Sequence, residues 1–231
     1  MATSGKPHGP SIDGDRDSAI ETERVRKSQD RNAAHYDRQI SFFERVLFTN
    51  GRQWVCEQAH GRVLELAVGT ARNLRHYPSD VMLTGVELSP EMLAIGRRRA
   101  TELAHPADLR LGDAQALELP DDSFDTVVCT LGLCTIPDPR RAVAEAWRVL
   151  RPAGQILLLE HVRSPQLPVR VLQRLLEPLS IRFAADHLTR EPLDYLSVAG
   201  FQIERLERSK WGIVEHIRAR KPERSPITAA A

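Results

Sequence analysis

The feature that most constrains the fold of this chain is a short apolar run that ends in an acid and continues into small residues. It covers residues 62–73 and reads RVLELAVGTARN. This order is typical of a buried strand that turns tightly into a helix at a nucleotide-binding site. The sequence therefore predicts a strand that ends near Leu66 and a helix from Thr70 to His76.

Two later apolar runs also end in acids. Glu87 closes the second run and lies 22 residues after Glu65, and Asp113 closes the third. Nucleotide-binding folds place a ribose-binding carboxylate roughly 20 residues after the glycine turn, at the tip of the second parallel strand. Acids at successive strand tips predict a ligand site at one edge of a sheet.

The small residues of the turn indicate which nucleotide this site binds. Dinucleotide enzymes use G-x-G-x-x-G, whereas here Gly69 is flanked by Ala67 and Ala71. A carboxylate at Glu65 would repel a pyrophosphate but suits a ligand with an ammonium and a sulfonium group, such as S-adenosylmethionine (SAM). A nicotinamide-dependent oxidoreductase is therefore a minor alternative. We expect both alanines to keep a negative φ, which an added methyl group tolerates.

These residues resemble motif I of the class I SAM-dependent methyltransferases, usually acid-x-Gly-x-Gly-x-Gly, with alanine at two glycine positions. Residues 119–129, LPDDSFDTVVC, resemble the run that enters the fourth strand of that class, and residues 148–154, RVLRPAG, resemble its turn into the fifth. The resemblance covers residues 36–219. Within that class, the sequence is similar to the methyltransferase type 11 group, to which the ubiquinone and menaquinone C-methyltransferases are related. The segments VVCTLGLC, EHV and LTRE, which begin at residues 127, 160 and 188, also resemble an animal branch that methylates small thiols.

The resemblance implies an α/β fold with a doubly wound, mostly parallel seven-stranded sheet, helices on both faces and an antiparallel last strand. The domain would span residues 21–220, with an N-terminal helical cover at 21–58 and a lid at 164–188. Residues 1–20, rich in Gly, Pro, Ser and Asp, predict a disordered leader. Residues 221–231 predict a flexible tail.

The resemblance also implies a set of SAM-binding residues. Glu87 would hold the ribose, Asp113 the adenine amino group, and Tyr36 would cover the sulfonium, where cation–π attraction favours an aromatic ring. Two alternatives stay open, namely that Tyr36 only fastens its helix to the core and that Met92 is only a core residue. The full implied set is Tyr36, Glu65, Ala67, Gly69, Asn73, Glu87, Leu88, Met92, Asp113, Ala114 and Leu131.

Methyl transfer from a sulfonium is an in-line displacement, so alignment of donor and acceptor matters most and a base is optional. A thiol or phenol acceptor, with a pKa of about 8.5 to 10, would gain from modest help in deprotonation. The candidate bases are His161 and His35, with Glu160 weaker, although a purely structural or surface role remains open for each histidine. We interpret Cys134 as pocket lining.

Composition narrows the partners. The chain has 231 residues and a net charge of +1, which does not favour nucleic acid. It shows no secretory signal, no membrane-spanning run, no metal-ligand spacing and only three cysteines, so we expect a soluble cytoplasmic protein without a metal. The predicted function is transfer of a methyl group from SAM to a small apolar acceptor with a thiol, phenol, quinol or amine group. The alternatives are a non-catalytic SAM-binding protein and a quinone or lipid C- or N-methyltransferase, and the oligomeric state stays open.

Overall fold

Seven strands form one sheet in this computed structural model, which describes residues 12–223, with side chains from residue 16. The sheet order is β3-β2-β1-β4-β5-β7-β6. The strands are Arg62–Leu66 (β1), Met82–Glu87 (β2), Ala107–Leu111 (β3), Phe124–Thr130 (β4), Leu150–His161 (β5), Gln202–Ser209 (β6) and Val214–Arg220 (β7).

The direction of the strands confirms the predicted fold class. Strands β1 to β5 pair in parallel, and β7 runs antiparallel to both of its neighbours, β5 and β6. The strand order reverses between β1 and β4, where crossovers leave toward opposite edges of the sheet. Ligands of open α/β sheets bind outside the carboxyl ends of the strands at such a switch point.

Helices cover both faces of the sheet. Ser89 caps α3 by accepting a hydrogen bond from the Met92 N–H, and Asp138 caps α4 through the N–H groups of Arg140 and Arg141, as the Ser-Pro and Asp-Pro pairs predict. The helices are Ile12–Phe43 (α1), Gly51–Cys56 (α2), Pro90–Glu102 (α3), Pro139–Val149 (α4), Leu167–Ala184 (α5) and Pro192–Ala199 (α6), with a π-helical turn at Glu44–Phe48 and a 3-10 turn at Leu74–His76.

The side chains of the central strands point alternately to the two faces of the sheet and pack into two hydrophobic clusters. Leu64, Val127 and Leu158 point to the face that α4 and α6 cover, while Val63 and Leu157 point to the face that α2 and α3 cover. A strand that is buried on both faces has a nearly continuous apolar sequence. This explains why VLEL in β1 and VVC in β4 predict strands so clearly. The resulting rigid sheet fixes the positions of the strand tips.

The predicted leader differs from the structure. Helix α1 already begins at Ile12, so residues 12–20 are helical, and residues 1–11 lie outside the described residues. Further along α1, Val25 and Ser28 are 2% and 4% exposed, so the helix packs on the domain. Once a helix is anchored by such packing, each added residue extends it at little cost, which the local Gly and Asp content does not reveal.

The predicted flexible tail is also wrong at its start. The ammonium group of Lys221 is buried and donates to Asp122 Oδ1 at 2.8 Å, to the Trp147 carbonyl at 2.9 Å and to the Leu150 carbonyl. All three of its donors are therefore used, which holds the end of β7. Residues 224–231 of the predicted tail lie outside the described residues.

Candidate active site

A cavity of about 890 Å³ lies outside the carboxyl ends of the central strands. The strand tips supply Gly69 after β1, Glu87 at the end of β2, Leu131 after β4 and His161 at the end of β5. Helices α1 and α5 and the π-helical turn form the opposite wall. The cavity therefore occupies the switch point of the sheet, where the sequence predicts a ligand.

The turn after β1 differs from the sequence prediction. Ala67, Gly69 and Ala71 have φ values of 50°, 57° and 57°, and residues 70–73 form turns rather than the first half of a helix. The expected negative φ of both alanines is wrong. Left-handed residues interrupt a right-handed helix, and the Val68 N–H instead donates to the Val86 carbonyl at 3.1 Å, which ties the turn to β2.

We expect Ala71→Gly to stabilise the protein by up to about 1 kcal/mol, because glycine adopts a positive φ without the cost that alanine incurs. Ala142→Gly is the matched control, since Ala142 is equally buried but lies inside α4, where the same change should cost about 1 kcal/mol. Urea unfolding of both variants measures the difference. If both variants lose stability alike, the positive φ of Ala71 carries no strain.

Glu87 holds the turn and borders the cavity. Its Oε2 accepts a hydrogen bond from the Gly69 N–H and its Oε1 one from the Ser89 N–H, each at 2.8 Å. Burial raises the pKa of Glu87, and these backbone donors oppose that rise. A carboxylate fixed by backbone donors at a strand tip can accept hydrogen bonds from two neighbouring ligand hydroxyl groups.

Glu65 lies one layer behind the cavity rather than on its surface. The carboxylate is 1% exposed and accepts hydrogen bonds from Asn73 Nδ2 and the Tyr77 hydroxyl, each at 2.8 Å. Burial raises its pKa to about 7, against the opposing effects of Tyr77 and Arg52. Neither Glu65 nor Asn73 is among the described residues that line the cavity. They instead support the residues that do.

Two arginines that sequence reasoning missed stand beside this network. Arg52 donates to Asn73 Oδ1 at 2.9 Å and to Thr130 Oγ1 at 2.8 Å, and both Arg52 and Arg72 pair with Glu44. Both line the cavity next to the turn after β1. Guanidinium groups bind carboxylates strongly, so they can hold the carboxylate of an amino-acid ligand. No local motif marks either arginine in the sequence.

Leu88, Asp113 and Ala114 line a smaller cavity of about 20 Å³ that shares Ala67 and Glu87 with the main one. Such a volume holds one water molecule but no purine ring. Val25 and Gln29 of α1 form its other wall. An adenine ring therefore reaches Asp113 only when this part of α1 moves outward.

Tyr36 and Met92 both line the main cavity, from α1 and α3 respectively. Burial raises the pKa of Tyr36 to about 12, so its hydroxyl is neutral at physiological pH. Met92 is 5% exposed and packs at the start of α3 while one side borders the cavity, so a core position and a cavity position coincide.

His161 forms a half-buried pair with Asp186, a residue that sequence reasoning also missed. His161 Nε2 lies 2.9 Å from Asp186 Oδ1. Burial by itself would lower the pKa of His161. The Asp186 carboxylate has the opposite effect, and the pKa of His161 lies above its ordinary value. Nδ1 is buried and has no hydrogen-bond partner among the described residues. In the neutral ring Nε2–H donates to Asp186, which leaves Nδ1 as the free acceptor.

The other candidate bases do not share this geometry. His35 is exposed on α1 and is not among the described residues that line the cavity, whereas a base must reach the proton it removes. Glu160 is 1% exposed, and its Oε1 accepts hydrogen bonds from the N–H groups of Gly132 and Leu133 at 3.0 Å. Glu160 thus shapes the loop after β4.

Cys134 completes a cluster with this pair. Cys134, His161 and Asp186 each offer a ligand atom, and these atoms lie within 4.8 Å of one another. Zinc accepts this set of donors, although His161 and Asp186 already form a hydrogen bond with each other. Burial raises the pKa of Cys134 well above its ordinary value, so its thiol is protonated and borders the pair. Positions 134, 161 and 186 are too far apart for a recognisable sequence motif.

Comparisons with known proteins agree with this geometry. Residues 64–158 match the family model of a methyltransferase domain. The phosphatidylethanolamine N-methyltransferase of Cereibacter sphaeroides is 35% identical over 57% of this chain and 69% of its own length. Mouse thiol S-methyltransferase TMT1B is 35% identical over 71% and 69%, and the ubiquinone/menaquinone biosynthesis C-methyltransferase UbiE of Methylobacterium nodulans is 41% identical over 46% and 45%.

Solved structures agree on the fold. A SAM-dependent methyltransferase from Thermotoga maritima, described as a possible histamine N-methyltransferase, superimposes with a TM-score of 0.65 at 24% identity and covers 84% of this chain and 99% of its own. A geranyl diphosphate methyltransferase in complex with geranyl diphosphate and sinefungin superimposes with a TM-score of 0.62 at 15% identity, over 75% of this chain and 77% of its own. The chain belongs to the SAM-dependent methyltransferases.

SAM is the cofactor of this family, and the residues present fit it. The main cavity brings together a carboxylate at Glu87, cationic groups at Arg52 and Arg72 and the exposed turn at Gly69. These match the ribose hydroxyls, the carboxylate and the amino-acid part of SAM. Only the adenine end requires a shift of α1. Within residues 12–223, no helix combines the length and the apolar character needed to span a bilayer.

Proposed function

We propose that this protein methylates a small apolar acceptor that carries a thiol, phenol, quinol or amine group, with His161 as general base and Asp186 as its positioning residue. One observation carries the proposal: the same cavity contains the turn and acid suited to SAM and the half-buried His161 ring with a free, buried Nδ1 atom. Donor and acceptor groups can therefore meet in one enclosed space. This arrangement favours an enzyme over a protein that only binds SAM.

For SAM we propose the following division of roles. Glu87 binds the ribose hydroxyls, Arg52 and Arg72 bind the carboxylate, and Tyr36 covers the sulfonium. Ala67, Gly69, Met92 and Leu131 contact the ligand through their positions in the cavity wall. Leu88, Asp113 and Ala114 receive the adenine after α1 moves, while Glu65 and Asn73 support the turn from behind.

Bound SAM supplies an electrophilic methyl group on a positively charged sulfur. The residues of the chain then need only to align the acceptor and remove its proton. His161 Nδ1 accepts the proton of the acceptor, and Asp186 stabilises the positive charge that forms on the ring. The Asp186 carboxylate also raises the pKa of His161, which makes the ring a stronger base.

The character of the acceptor follows from the cavity wall. Helix α5, which lies within the proposed lid, contributes Val169, Leu172, Leu176 and Leu179. An apolar wall with few polar groups binds apolar ligands and excludes water. The names of the relatives, which include thiol, quinone and phospholipid methyltransferases, support the same range of acceptors. A quinone or lipid C- or N-methyltransferase is thus a second reading of the same site.

We also propose a cytoplasmic setting. Cys56, Cys129 and Cys134 are buried free thiols, which is usual where the surroundings keep cysteines reduced.

Release of S-adenosylhomocysteine tests the proposal directly. The purified protein is incubated with SAM and a panel of alkyl thiols, phenols, quinols and amines of increasing apolar length. We expect release that rises with apolar length and depends on one acceptor class. Tight SAM binding with no release across the panel would contradict the enzyme assignment and favour a SAM-binding protein.

A further inference from the structure

Helix α5 is unusual because none of its 18 residues is buried. Seven of its large apolar side chains are 46% to 70% exposed, and four side chains next to the cavity are 49% to 63% exposed. We call this surface the apolar rim. It consists of Leu167, Val171, Leu172, Leu175, Leu176, Leu179 and Phe183 on α5, with Phe42, Phe43, Val46 and Trp211.

The apolar rim is continuous with the mouth of the main cavity. Leu172, Leu176 and Phe43 are 55%, 47% and 50% exposed, yet each also lines the cavity. A ligand that leaves the cavity therefore meets apolar surface rather than water. Contiguous apolar surface of this kind marks an interaction site.

Unpaired cations accompany the apolar rim. Arg170, Arg174 and Arg182 lie on α5, while Arg38 lies four residues before Phe42 and Arg45 two residues after Phe43. None of these five forms an ion pair with any residue that the structure describes. The nearby acids have other partners: Asp37 pairs with Arg99, Glu44 with Arg72, and Asp186 with His161. Glu177, the only acid of α5, accepts hydrogen bonds from Thr189.

We propose that the apolar rim docks on the surface of an anionic phospholipid bilayer and that the apolar acceptor enters the cavity from there. Leucine and phenylalanine side chains enter the boundary between headgroups and acyl chains, while the arginines meet the lipid phosphates. The route of the acceptor rests on the proposed function, whereas the docking itself does not.

Charge distinguishes this partner from a second copy of the chain. A symmetric dimer brings the same patch of each copy together, so the five arginines would face one another, while the nearby acids Asp37, Glu44 and Glu177 already have partners. Like charges in close contact oppose such an interface. An anionic surface instead complements them.

Vesicle sedimentation of the full chain tests the proposal. At low salt we expect binding to phosphatidylcholine vesicles that contain phosphatidylglycerol, weak binding to pure phosphatidylcholine, and release as salt rises. The double variant Leu175→Asp/Phe183→Asp should weaken binding at least about tenfold, as should Arg174→Glu/Arg182→Glu. Val198→Asp is the matched control, because Val198 is 76% exposed on α6, outside the apolar rim, and should bind as the wild type does.

Three further outcomes are decisive. Equal binding to neutral vesicles, or no binding to anionic ones, overturns the proposal. A wild-type dimer that Leu175→Asp converts to a monomer also overturns it, since a second copy would then cover the patch.

The methylation rate distinguishes loss of docking from failure of the proposed function. Leu175 does not line the cavity, so Leu175→Asp/Phe183→Asp should keep the wild-type methylation rate for a water-soluble acceptor. Circular dichroism confirms that each variant is folded.

Discussion

Replacing His161 by alanine is expected to lower kcat for methyl transfer to a thiol or phenol about 10²–10⁴-fold, while the affinity for SAM stays unchanged. The reason is that Nδ1 of His161 is a buried acceptor without a partner among the described residues, whereas the groups proposed to bind SAM lie on other elements of the domain. Single-turnover kinetics and SAM calorimetry separate the two effects. His35→Ala is the matched control, because this histidine is exposed on α1.

The pH profile gives the same assignment a second test. The neutral ring is the active form, so the rate should fall as the pH drops through the pKa of His161, which Asp186 raises above the ordinary value. In Asp186→Asn the carboxylate that raises this pKa is gone, so the acidic limb should move to lower pH while kcat also falls. A limb that stays in place would show that Asp186 does not act on the titrating group. A fully active His161→Ala enzyme would leave alignment alone as the source of catalysis.

Replacing Glu87 by alanine is expected to weaken SAM binding by about 1 to 3 kcal/mol, or roughly 5- to 150-fold, the size of a lost hydrogen bond to a charged group. Part of this loss comes from the turn itself, because Glu87 also accepts hydrogen bonds from the Gly69 and Ser89 N–H groups. Glu87→Gln keeps one side-chain oxygen as acceptor and should lose less affinity. The difference in SAM affinity between the two variants therefore shows how much of the loss comes from the ribose contact and how much from the weakened turn.

Isothermal calorimetry with SAM measures these affinities, and thermal unfolding reports whether the turn is damaged. Asp108→Ala serves as the control, since Asp108 is an exposed carboxylate on β3 that pairs with Arg110. It should bind SAM like the wild type. Unchanged affinity in Glu87→Ala would remove the ribose role of this acid.

The strand tips show how far sequence reasoning reaches. Glu87 and Asp113 border the two cavities and Glu65 lies directly behind, as the repeated pattern of an apolar run and an acid predicts. The caps of α3 and α4 are likewise confirmed, and the predicted antiparallel last strand is present as β7. These features depend on contacts between residues near in sequence or on a simple period of burial.

The tertiary structure alone decided the rest of the site. Asp186 meets His161 across 25 residues, Arg52 meets Thr130 across 78, and α1 extends back to Ile12 because it packs on the finished domain. The positive φ of Ala67 and Ala71 follows from tying the turn to β2. The sequence by itself determined the strands, the caps and the acids at the strand tips, because short-range preferences and burial periodicity specify them. Which distant side chains face each other follows only from the packing of the whole chain.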